Sequence, residues 1–483
     1  MRYAIRLLLF SVVATAAVVG HAQQSSTAGN RTEQRIAAIE AAVIPTLVIK
    51  GETVPVVTLQ QRMEQLNIRA ISVAVFNGGA IEWTRAYGYA DKERSIPATP
   101  ATLFEVGSIS KAVTALGALQ LVKKGVLDLD GNVNDKLKSW HLPDNQFTAS
   151  HKVTLRNILN HTAGTTVSGF PGYPRTGNIP TPIDVLEGKG STEPVRVSKE
   201  PGQSWRYSGG GYTILQVLMS DVTGRSFADL MRASVLEPLG MHNSTFEQPL
   251  PESWQTRAAS GYNREGVKVP GDWHVYPEMA AAGLWSTAED LAKYALAVQR
   301  MNQGKGGILS PQMIHTMLTP GMNNDGLGLF ISPVSKRFGH EGADEGFQSS
   351  FTAYIDTGAG IAILTNSDNG MRLAHELMLT IAREYGWSGF SQTEKTTVKL
   401  SPSESARILG HYKIDAGGAG EFDLVAAGDH ILLKSSQMSD RDLLAESADR
   451  LFLRDDGDPI DVATQNGTTT LTIAGTLHAI KVH

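Results

Sequence analysis

The chain has 483 residues, of which 41% are hydrophobic and 19% charged, and its formal net charge is −5 at pH 7. This composition is typical of globular proteins, and the length exceeds what one small core accommodates, so two or more domains are expected. The acidic balance argues against nucleic acid as a partner, and the absence of cysteine excludes disulfides and a lipid-modified N-terminal cysteine.

The first 22 residues have the order of a secretory signal peptide. Arg2 and Arg6 precede a mostly apolar run from Leu7 to Val19, and a polar stretch follows Ala22. The run is shorter than the roughly 20 residues that span a bilayer, so an uncleaved membrane anchor is the weaker interpretation. Cleavage after Ala22 is predicted to release a periplasmic or secreted protein without stable membrane insertion. Loss of the two arginines leaves 41 basic against 48 acidic residues, a net charge of −7.

A β-hairpin and a helix are predicted next along the chain. Ala70–Phe76 is β-branched and apolar, Asn77–Gly79 supplies a turn, and Ala80–Tyr87 alternates, which is the pattern of two paired strands. From Ile109 to Lys124 apolar residues recur at helical spacing. Ser108 is therefore expected at the N-terminal end of a helix.

The rest of the chain divides into a helical middle and β-rich segments. From Asp128 to about Gly306, helical stretches alternate with Gly- and Pro-rich loops such as Gly169–Pro182, which is typical of a helical subdomain with long binding loops. Two strands, a helix and a separate all-β domain are predicted further on. In chain order these are Ser349–Ile355, Gly360–Thr365, Gly370–Tyr385 and residues 401–483.

Ser108 and Lys111 form a Ser-x-x-Lys pair. A serine hydroxyl becomes a good nucleophile when a base removes its proton, and a lysine one helical turn further on does so if burial keeps its amine neutral. Side chains at i and i+3 share a helix face, and the helix N-terminus favours a developing alkoxide. Chance places such a pair about once in a chain of this size, but Ser108 is the only serine here with lysine three positions on.

Patterns of other enzyme classes are missing from the sequence. There is no His-Glu-x-x-His and no tight cluster of histidines with carboxylates, which argues against a catalytic zinc. There is no Gly-x-Ser-x-Gly elbow, which argues against an α/β-hydrolase. The run Gly209–Gly211 has no Gly-Lys-Ser/Thr to accompany it, so it predicts a tight loop rather than a phosphate site. No metal or cofactor is predicted.

Five segments resemble, in the same order, segments of the serine β-lactamase and penicillin-binding-protein family. The resemblance covers about residues 65–385 and extends to class C β-lactamases, esterases with a β-lactamase fold, D-aminopeptidases and DD-carboxypeptidases. Five ordered matches are far more specific than any one of them. The segments are Phe104–Lys111, Thr154–Gly164, Glu200–Tyr212, Ala282–Leu291 and Gly339–Gly342.

The resemblance implies an α+β fold, in which an antiparallel sheet packs with helices beside a helical subdomain. It assigns residues 23–390 to this β-lactamase/transpeptidase-like domain, and residues 401–483 resemble the small lipocalin-like barrels appended to many such hydrolases. It implies Ser108 as the nucleophile, Lys111 as its first proton acceptor and no cofactor.

The family's second motif is Tyr-x-Asn, and Tyr207 and Gly209 occupy its two ends. The resemblance makes Tyr207 a second general acid/base, whose pKa Lys111 is expected to lower. Gly209 replaces an Asn that helps to grip a substrate amide, which counts against β-lactam and peptidoglycan recognition but leaves proton transfer intact. His161 lies in a matched segment outside the motifs and is interpreted as structural, as most single histidines are.

The third motif, Lys-Thr-Gly in many relatives, is matched by His340, Glu341 and Gly342. The resemblance implies that His340 assists proton transfer or substrate orientation, and that the backbone N–H groups of Ser108 and Ala343 form the oxyanion hole. Three carboxylates surround this strand, on Glu341, Asp344 and Glu345. An acidic wall would repel carboxylate substrates, but side chains alternate along a strand, so Glu341 turned to solvent is an equal alternative.

These features predict a hydrolase that acts on a small-molecule or short-peptide substrate through an acyl-enzyme. A peptidase or amidase is the first choice, a carboxylesterase the second and a β-lactamase the third, because of Gly209 and Glu341. A binding protein that keeps the fold without turnover, such as a receptor for cell-wall fragments, is the alternative of a different class. Intact Ser108, Lys111 and Tyr207 argue against it.

Overall fold

The computed structural model of the protein describes residues 29–483 apart from 415–419, 429, 436–437, 456, 476 and 483. The predicted signal peptide, residues 1–22, lies outside the described residues. The described residues form two compact units: one contains residues 29–41 and Thr58–Ala374, and the other contains Ala42–Val57 and the described part of residues 375–482. The domain boundaries expected from sequence, 23–390 and 401–483, stay a prediction. No helix in the described ranges is both long and apolar enough to cross a bilayer.

A seven-stranded sheet lies in the first unit, and every neighbouring pair in it is antiparallel. The two central strands are buried along nearly their whole length, which explains their continuous apolar sequence. The predicted hairpin and the two later strands are confirmed. In spatial order the strands are β4 (Ile96–Pro97), β3 (Ala80–Asp91), β2 (Ala70–Asn77), β12 (Gly360–Thr365), β11 (Phe347–Tyr354), β10 (Arg337–Asp344) and β9 (Phe330–Ser332).

The helices of the first unit include the predicted helix after Ser108, and α12 carries the chain into the second unit. Two short strand pairs and three single turns of 3₁₀ or π type lie among them. The helices are α1 (residues 29–41), α2 (Leu59–Gln65), α3 (Ile109–Lys123), α4 (Leu155–Leu159), α5 (Pro182–Leu186), α6 (Gly209–Thr223), α7 (Phe227–Met231), α8 (Glu252–Gln255), α9 (Met279–Ala282), α10 (Ala288–Asn302), α11 (Pro311–Leu318) and α12 (Gly370–Tyr385). The paired strands are β5 (Phe104–Glu105) with β8 (Trp285–Ser286) and β6 (Tyr173–Pro174) with β7 (His274–Val275). The turns are Val133–Asp135, Arg232–Leu236 and Met322–Asn324.

Helix α3 is buried on all sides from Ile109 to Leu121. It packs against α9 and β10, and Gly117 lets it approach the thioether of Met231, since a Cβ there would lie 2.6 Å from Sδ. A helix that is apolar all round belongs in a core, and α3 has few polar residues before its last turn. Its N-terminus is consequently held on every side, which fixes the position of Ser108.

The second unit contains a closed barrel of eight strands with its own apolar core. Its strands alternate buried and exposed residues. Each described barrel strand pairs with two neighbours, as a closed sheet requires. The all-β C-terminal part expected from sequence is confirmed. The barrel strands are β14 (Gly410–Ile414), β15 (Glu421–Ala427), β16 (His430–Ser435), β17 (Met438–Ser447), β18 (Arg450–Leu453), β19 (Pro459–Gln465), β20 (Thr468–Ile473) and β21 (Leu477–Val482), and the unit also holds α13 (Pro402–Ile408) and the parallel pair β1 (Leu47–Ile49) with β13 (Thr393–Lys395).

Candidate active site

Ser108 lies where α3 begins. Its backbone is already helical (φ −63°, ψ −10°) and its side chain makes no capping hydrogen bond, so the hydroxyl is available to other groups. Gly107, just before it, has φ +51°, and a Cβ there would come within 2.6 Å of Ala343 N. The left-handed backbone and the close approach both require glycine. Gly107 therefore brings Ser108 beside β10.

The amine of Lys111 contacts the Ser108 hydroxyl. Lys111 Nζ donates to Ser108 Oγ (2.9 Å) and to Ala281 O (2.8 Å), and the residue is only 1% exposed. Burial lowers the pKa of Lys111 to about 7, although the nearby Asp344 carboxylate opposes the change. At neutral pH a large share of Lys111 is therefore uncharged, which is the form that accepts a proton from serine.

Tyr207 also lies near Ser108, whose hydroxyl acts to lower the pKa of Tyr207. Lys111 Nζ lies 4.9 Å from the centroid of the tyrosine ring. Burial raises the pKa of Tyr207 above its ordinary value, and the Ser108 hydroxyl offsets only part of the rise. Tyr207 is therefore a protonated phenol at neutral pH, a form that donates a proton. That Lys111 lowers this pKa stays a prediction.

His161 holds the chain on both sides of Tyr207. Its carbonyl accepts from Arg206 N (2.8 Å) and its Nδ1 accepts from Ser208 N (3.1 Å). The imidazole packs on the Tyr207 ring with 4.3 Å between centroids. Burial lowers the pKa of His161 well below its usual range, so the ring is neutral and Nδ1 is free to accept. The sequence indicated a structural histidine apart from the site, whereas the structure places it in contact with Tyr207.

Replacing His161 by alanine is expected to lower kcat about tenfold to a hundredfold with a smaller change in KM, because misplacement of an acid/base group costs rate. His161→Asn should recover much of the loss, since Asn offers an acceptor and tolerates the φ of +57° at this position. Steady-state kinetics on folded protein make the check. The control is His315→Ala, which removes an exposed histidine from α11. Equal kcat in all four proteins would contradict the positioning role.

Two further groups behind Tyr207 gave no signal in the sequence. The ring of Phe330 lies nearly parallel to that of Tyr207, with 6.4 Å between centroids and 16° between planes. Trp205 Nε1 donates to Asp325 Oδ2 (2.9 Å), and burial raises the pKa of Asp325 to about 7. The Asp325 carboxylate raises the pKa of Tyr207. These contacts join residues that are distant in the chain, so no local sequence pattern predicts them.

His340 lies on β10 and faces the same aromatic group. Its ring centroid is 5.0 Å from that of Phe330 and 6.4 Å from that of Tyr207. Its Nδ1 lies 2.5 Å from Glu341 O, and because a carbonyl only accepts, Nδ1 carries the proton. Burial and the charge of Lys111 lower the pKa of His340 to about 4. His340 is thus a neutral imidazole near Tyr207, and its part in proton transfer stays a prediction.

The backbone of β10 approaches the start of α3 at Gly342 and Ala343. A Cβ at Gly342 would overlap Val106 O, and Ser349 Oγ donates to the same carbonyl (2.8 Å). The strand β9 pairs with β10 only as far as Gly339, so this pairing ends before Ala343. Ala343 and Ser108 thus lie close together, and their role as an oxyanion hole stays a prediction.

The three carboxylates around β10 do not share one environment. Glu341 and Glu345 are exposed, as alternation along the strand allows. Asp344 is buried, and burial raises its pKa well above the usual range while the charge of Lys111 opposes the rise. Burial and the Asp344 charge together raise the pKa of Glu105 as well. The acidic wall expected from sequence therefore reduces to Glu341 and Glu345.

Gly209 begins α6, directly after the N-cap Ser208, whose Oγ accepts from Gly211 N (3.0 Å). A Cβ at position 209 would lie 2.9 Å from Phe170 Cε2 and 3.1 Å from Ser168 O. The Asn of the family motif therefore has no room here. Phe170 is a residue of the site region that the sequence indicated only as part of the loop Gly169–Pro182.

Comparison with known proteins gives a consistent result. Residues 58–383, about two thirds of the chain, match the family described as beta-lactamase. Penicillin-binding protein 4* of Bacillus subtilis is 25% identical over 414 residues, 79% of this chain and 87% of that protein. The teichoic acid D-alanine hydrolase of Staphylococcus aureus is 24% identical over 308 residues, 63% of this chain and 72% of that one.

A solved structure has the same fold. The octameric penicillin-binding protein homologue from Pyrococcus abyssi superposes with a TM-score of 0.59 at 23% identity, covering 88% of this chain and 98% of that one. The predicted fold class, a β-lactamase/transpeptidase-like domain followed by an all-β domain, is confirmed.

Proposed function

Because this chain belongs to the beta-lactamase family of serine hydrolases, we propose that it hydrolyses amide bonds of small peptides through an acyl-enzyme on Ser108. The observation that carries the proposal is the contact of 2.9 Å between Ser108 Oγ and the buried amine of Lys111, whose pKa burial lowers to about 7. A nucleophile paired with a neutral base is the arrangement that acyl transfer requires.

In the acylation step, Ser108 Oγ attacks the substrate carbonyl carbon while its proton passes to Lys111 Nζ. The oxyanion that forms is stabilised by the backbone N–H groups of Ser108 and Ala343, and such donors usually supply a large part of the rate enhancement. When the C–N bond breaks, the Tyr207 phenol donates its proton to the departing amine. The Lys111 ammonium then returns a proton to Tyr207, which leaves both groups as they began.

In the deacylation step, water attacks the Ser108 ester and Lys111 again acts as the base. Lys111 accepts the proton of the water as its oxygen bonds to the carbonyl carbon. The tetrahedral intermediate collapses, the proton returns to Ser108 Oγ, and the carboxylic acid leaves. This cycle needs only water as a co-reactant, and it requires no cofactor.

Charge at the site favours substrates without a free carboxylate near the scissile bond. The exposed acidic groups are Glu341 on β10 and Glu345 directly after it, which repel anions and attract an amine. Gly209 leaves out the side chain that would grip a β-lactam amide, and this supports placing a β-lactamase last. The same absence favours a carboxylesterase as the second candidate, because an ester substrate does not need that grip.

The proposal is tested by kcat/KM on a matched panel. The substrates are D- and L-amino-acid p-nitroanilides, short peptides, p-nitrophenyl acetate and butyrate, and nitrocefin. Turnover of the anilides or peptides above the esters is the expected result. Faster turnover of the esters would contradict the peptidase proposal and identify the protein as a carboxylesterase. Fast nitrocefin hydrolysis would show that Gly209 and Glu341 do not exclude β-lactams.

The proposal includes export to the periplasm or the medium, which rests on the signal pattern of residues 1–22. The partner is then a small molecule or short peptide outside the cytoplasm, with no role for nucleic acid. A receptor without turnover is disfavoured because a buried, uncharged Lys111 beside Ser108 is costly to maintain without chemistry.

A further inference from the structure

The ring of Phe170 occupies the space beside Gly209 where a side chain two residues after Tyr207 would lie. The ideal Cβ at Gly209 would meet Phe170 Cε2 at 2.9 Å. The backbone holds the two segments together, since Gly209 N donates to Ser168 O and Gly210 N donates to Val167 O, each at 3.0 Å. Phe170 is therefore fixed next to the start of α6.

The chain after Phe170 is anchored on the side of the site where β10 ends. Tyr173 and Pro174 pair with Val275 and His274, and His274 Nδ1 lies 3.0 Å from Pro171 O. A Cβ at Gly172 would come within 2.6 Å of Tyr276 Cζ.

The same tyrosine links this segment to β10. The Tyr276 hydroxyl accepts from Glu345 N (2.9 Å), and Glu345 directly follows the last residue of β10. The segment from Phe170 to Pro174 thus runs from the Tyr207 side of the site to the end of β10.

Phe170 is half-buried, whereas the two residues before it, Ser168 and Gly169, are exposed. Its side chain packs on the apolar core, and the residue keeps part of its surface exposed. An anchored, partly exposed aromatic ring offers apolar contact area at little cost in conformational entropy. At the rim of a hydrolase site, such a ring suits an apolar group of the substrate.

We propose that Phe170 is a specificity-determining residue, whose ring forms an apolar wall for the substrate side chain beside the scissile carbonyl and so selects substrates with apolar side chains. The inference rests on the proposed function and narrows it to peptides or aminoacyl amides with leucine-like residues at that position. A hydrophobic contact of this kind discriminates substrates that differ by a few methylene groups by tenfold or more.

The test is the ratio of kcat/KM for leucine p-nitroanilide to that for alanine p-nitroanilide, in both configurations. We expect Phe170→Ala to lower this ratio about tenfold, and Phe170→Leu, which keeps an apolar side chain, to lower it less. Phe147→Ala is the matched control, because Phe147 is also half-buried against the same core. It should keep the wild-type ratio, and thermal unfolding verifies that each variant is folded.

A second pair of variants tests where the ring lies. Gly209→Asn should lose activity because its side chain collides with Phe170, and the Phe170→Ala/Gly209→Asn double variant should regain part of the loss. An unchanged leucine-to-alanine ratio in folded Phe170→Ala and Phe170→Leu overturns the inference while leaving the hydrolase proposal intact. Absence of any Ser108-dependent turnover in the wild type would remove the proposed function, and this inference with it.

Discussion

Substituting Ser108 by alanine is expected to lower kcat/KM by about a millionfold, the scale of loss when a serine hydrolase is deprived of its nucleophile. Ser108 Oγ is the hydroxyl oxygen in contact with Lys111 Nζ, at 2.9 Å, and alanine at this position removes it. What activity remains would come from substrate binding and the backbone donors alone.

Covalent labelling distinguishes loss of the nucleophile from loss of the fold. Fluorophosphonate should label the wild type at one serine and leave Ser108→Ala unlabelled. Ser168→Ala, which alters an exposed serine close to Gly209, serves as the control and should label normally. Strong labelling of Ser108→Ala would mean that a different serine is the nucleophile.

Substituting Lys111 by methionine is expected to lower kcat/KM about a thousandfold, within the range that general base catalysis contributes. Methionine nearly preserves the volume in the core and removes the amine, so the variant should stay folded. Lys123→Met is the control, because Lys123 lies in the last turn of the same helix and donates to Ile308 O at the surface. A Lys111→Met enzyme with more than a tenth of the wild-type kcat/KM would contradict the base role.

The pH dependence of kcat/KM should also show that Lys111 acts as a base. Lys111 accepts a proton only when uncharged, and burial lowers its pKa to about 7. The rate should therefore rise about tenfold per pH unit below pH 7 and level off above it. In Lys111→Met, this rise of kcat/KM with pH should be absent.

Other buried carboxyl groups titrate near the same pH, so they need their own controls. Burial raises the pKa values of Asp325 and Glu278 to about 7. If titration of Lys111 causes the fall of kcat/KM below pH 7, Asp325→Asn and Glu278→Gln should show the same fall. His340, with a pKa of about 4, titrates too low to account for it.

The sequence predicted well what depends on neighbours in the chain. The spacing of Ser108 and Lys111 on one helix face, the hairpin before them and the strand and helix after them follow from periods of 2 and 3.6 residues. The structure has α3 at Ile109–Lys123, one residue shorter than predicted, and α12 at the predicted bounds. The all-β tail followed from its turns and alternation.

What the sequence did not predict depends on contacts across the chain. The pKa of Tyr207 is raised because the fold buries its hydroxyl, and burial of one side chain is a property of the packed core. The hydrogen bond of Ser208 N to His161 and the contact between Phe170 and Gly209 each join segments about 40 residues apart. Glycine at position 209 was visible as a departure from the family, but the ring that requires it was not.

The burial of Lys111 also has a consequence for anyone who tries to make this protein more robust. A lysine enclosed at 1% exposure within the central helix is held there at the expense of folding free energy, since its charged form is poorly solvated. Selection for heat resistance alone would favour an apolar residue at position 111, and the resulting protein would be more stable but catalytically inactive. Thermostabilising libraries should therefore keep this position fixed and be screened for turnover as well as melting temperature.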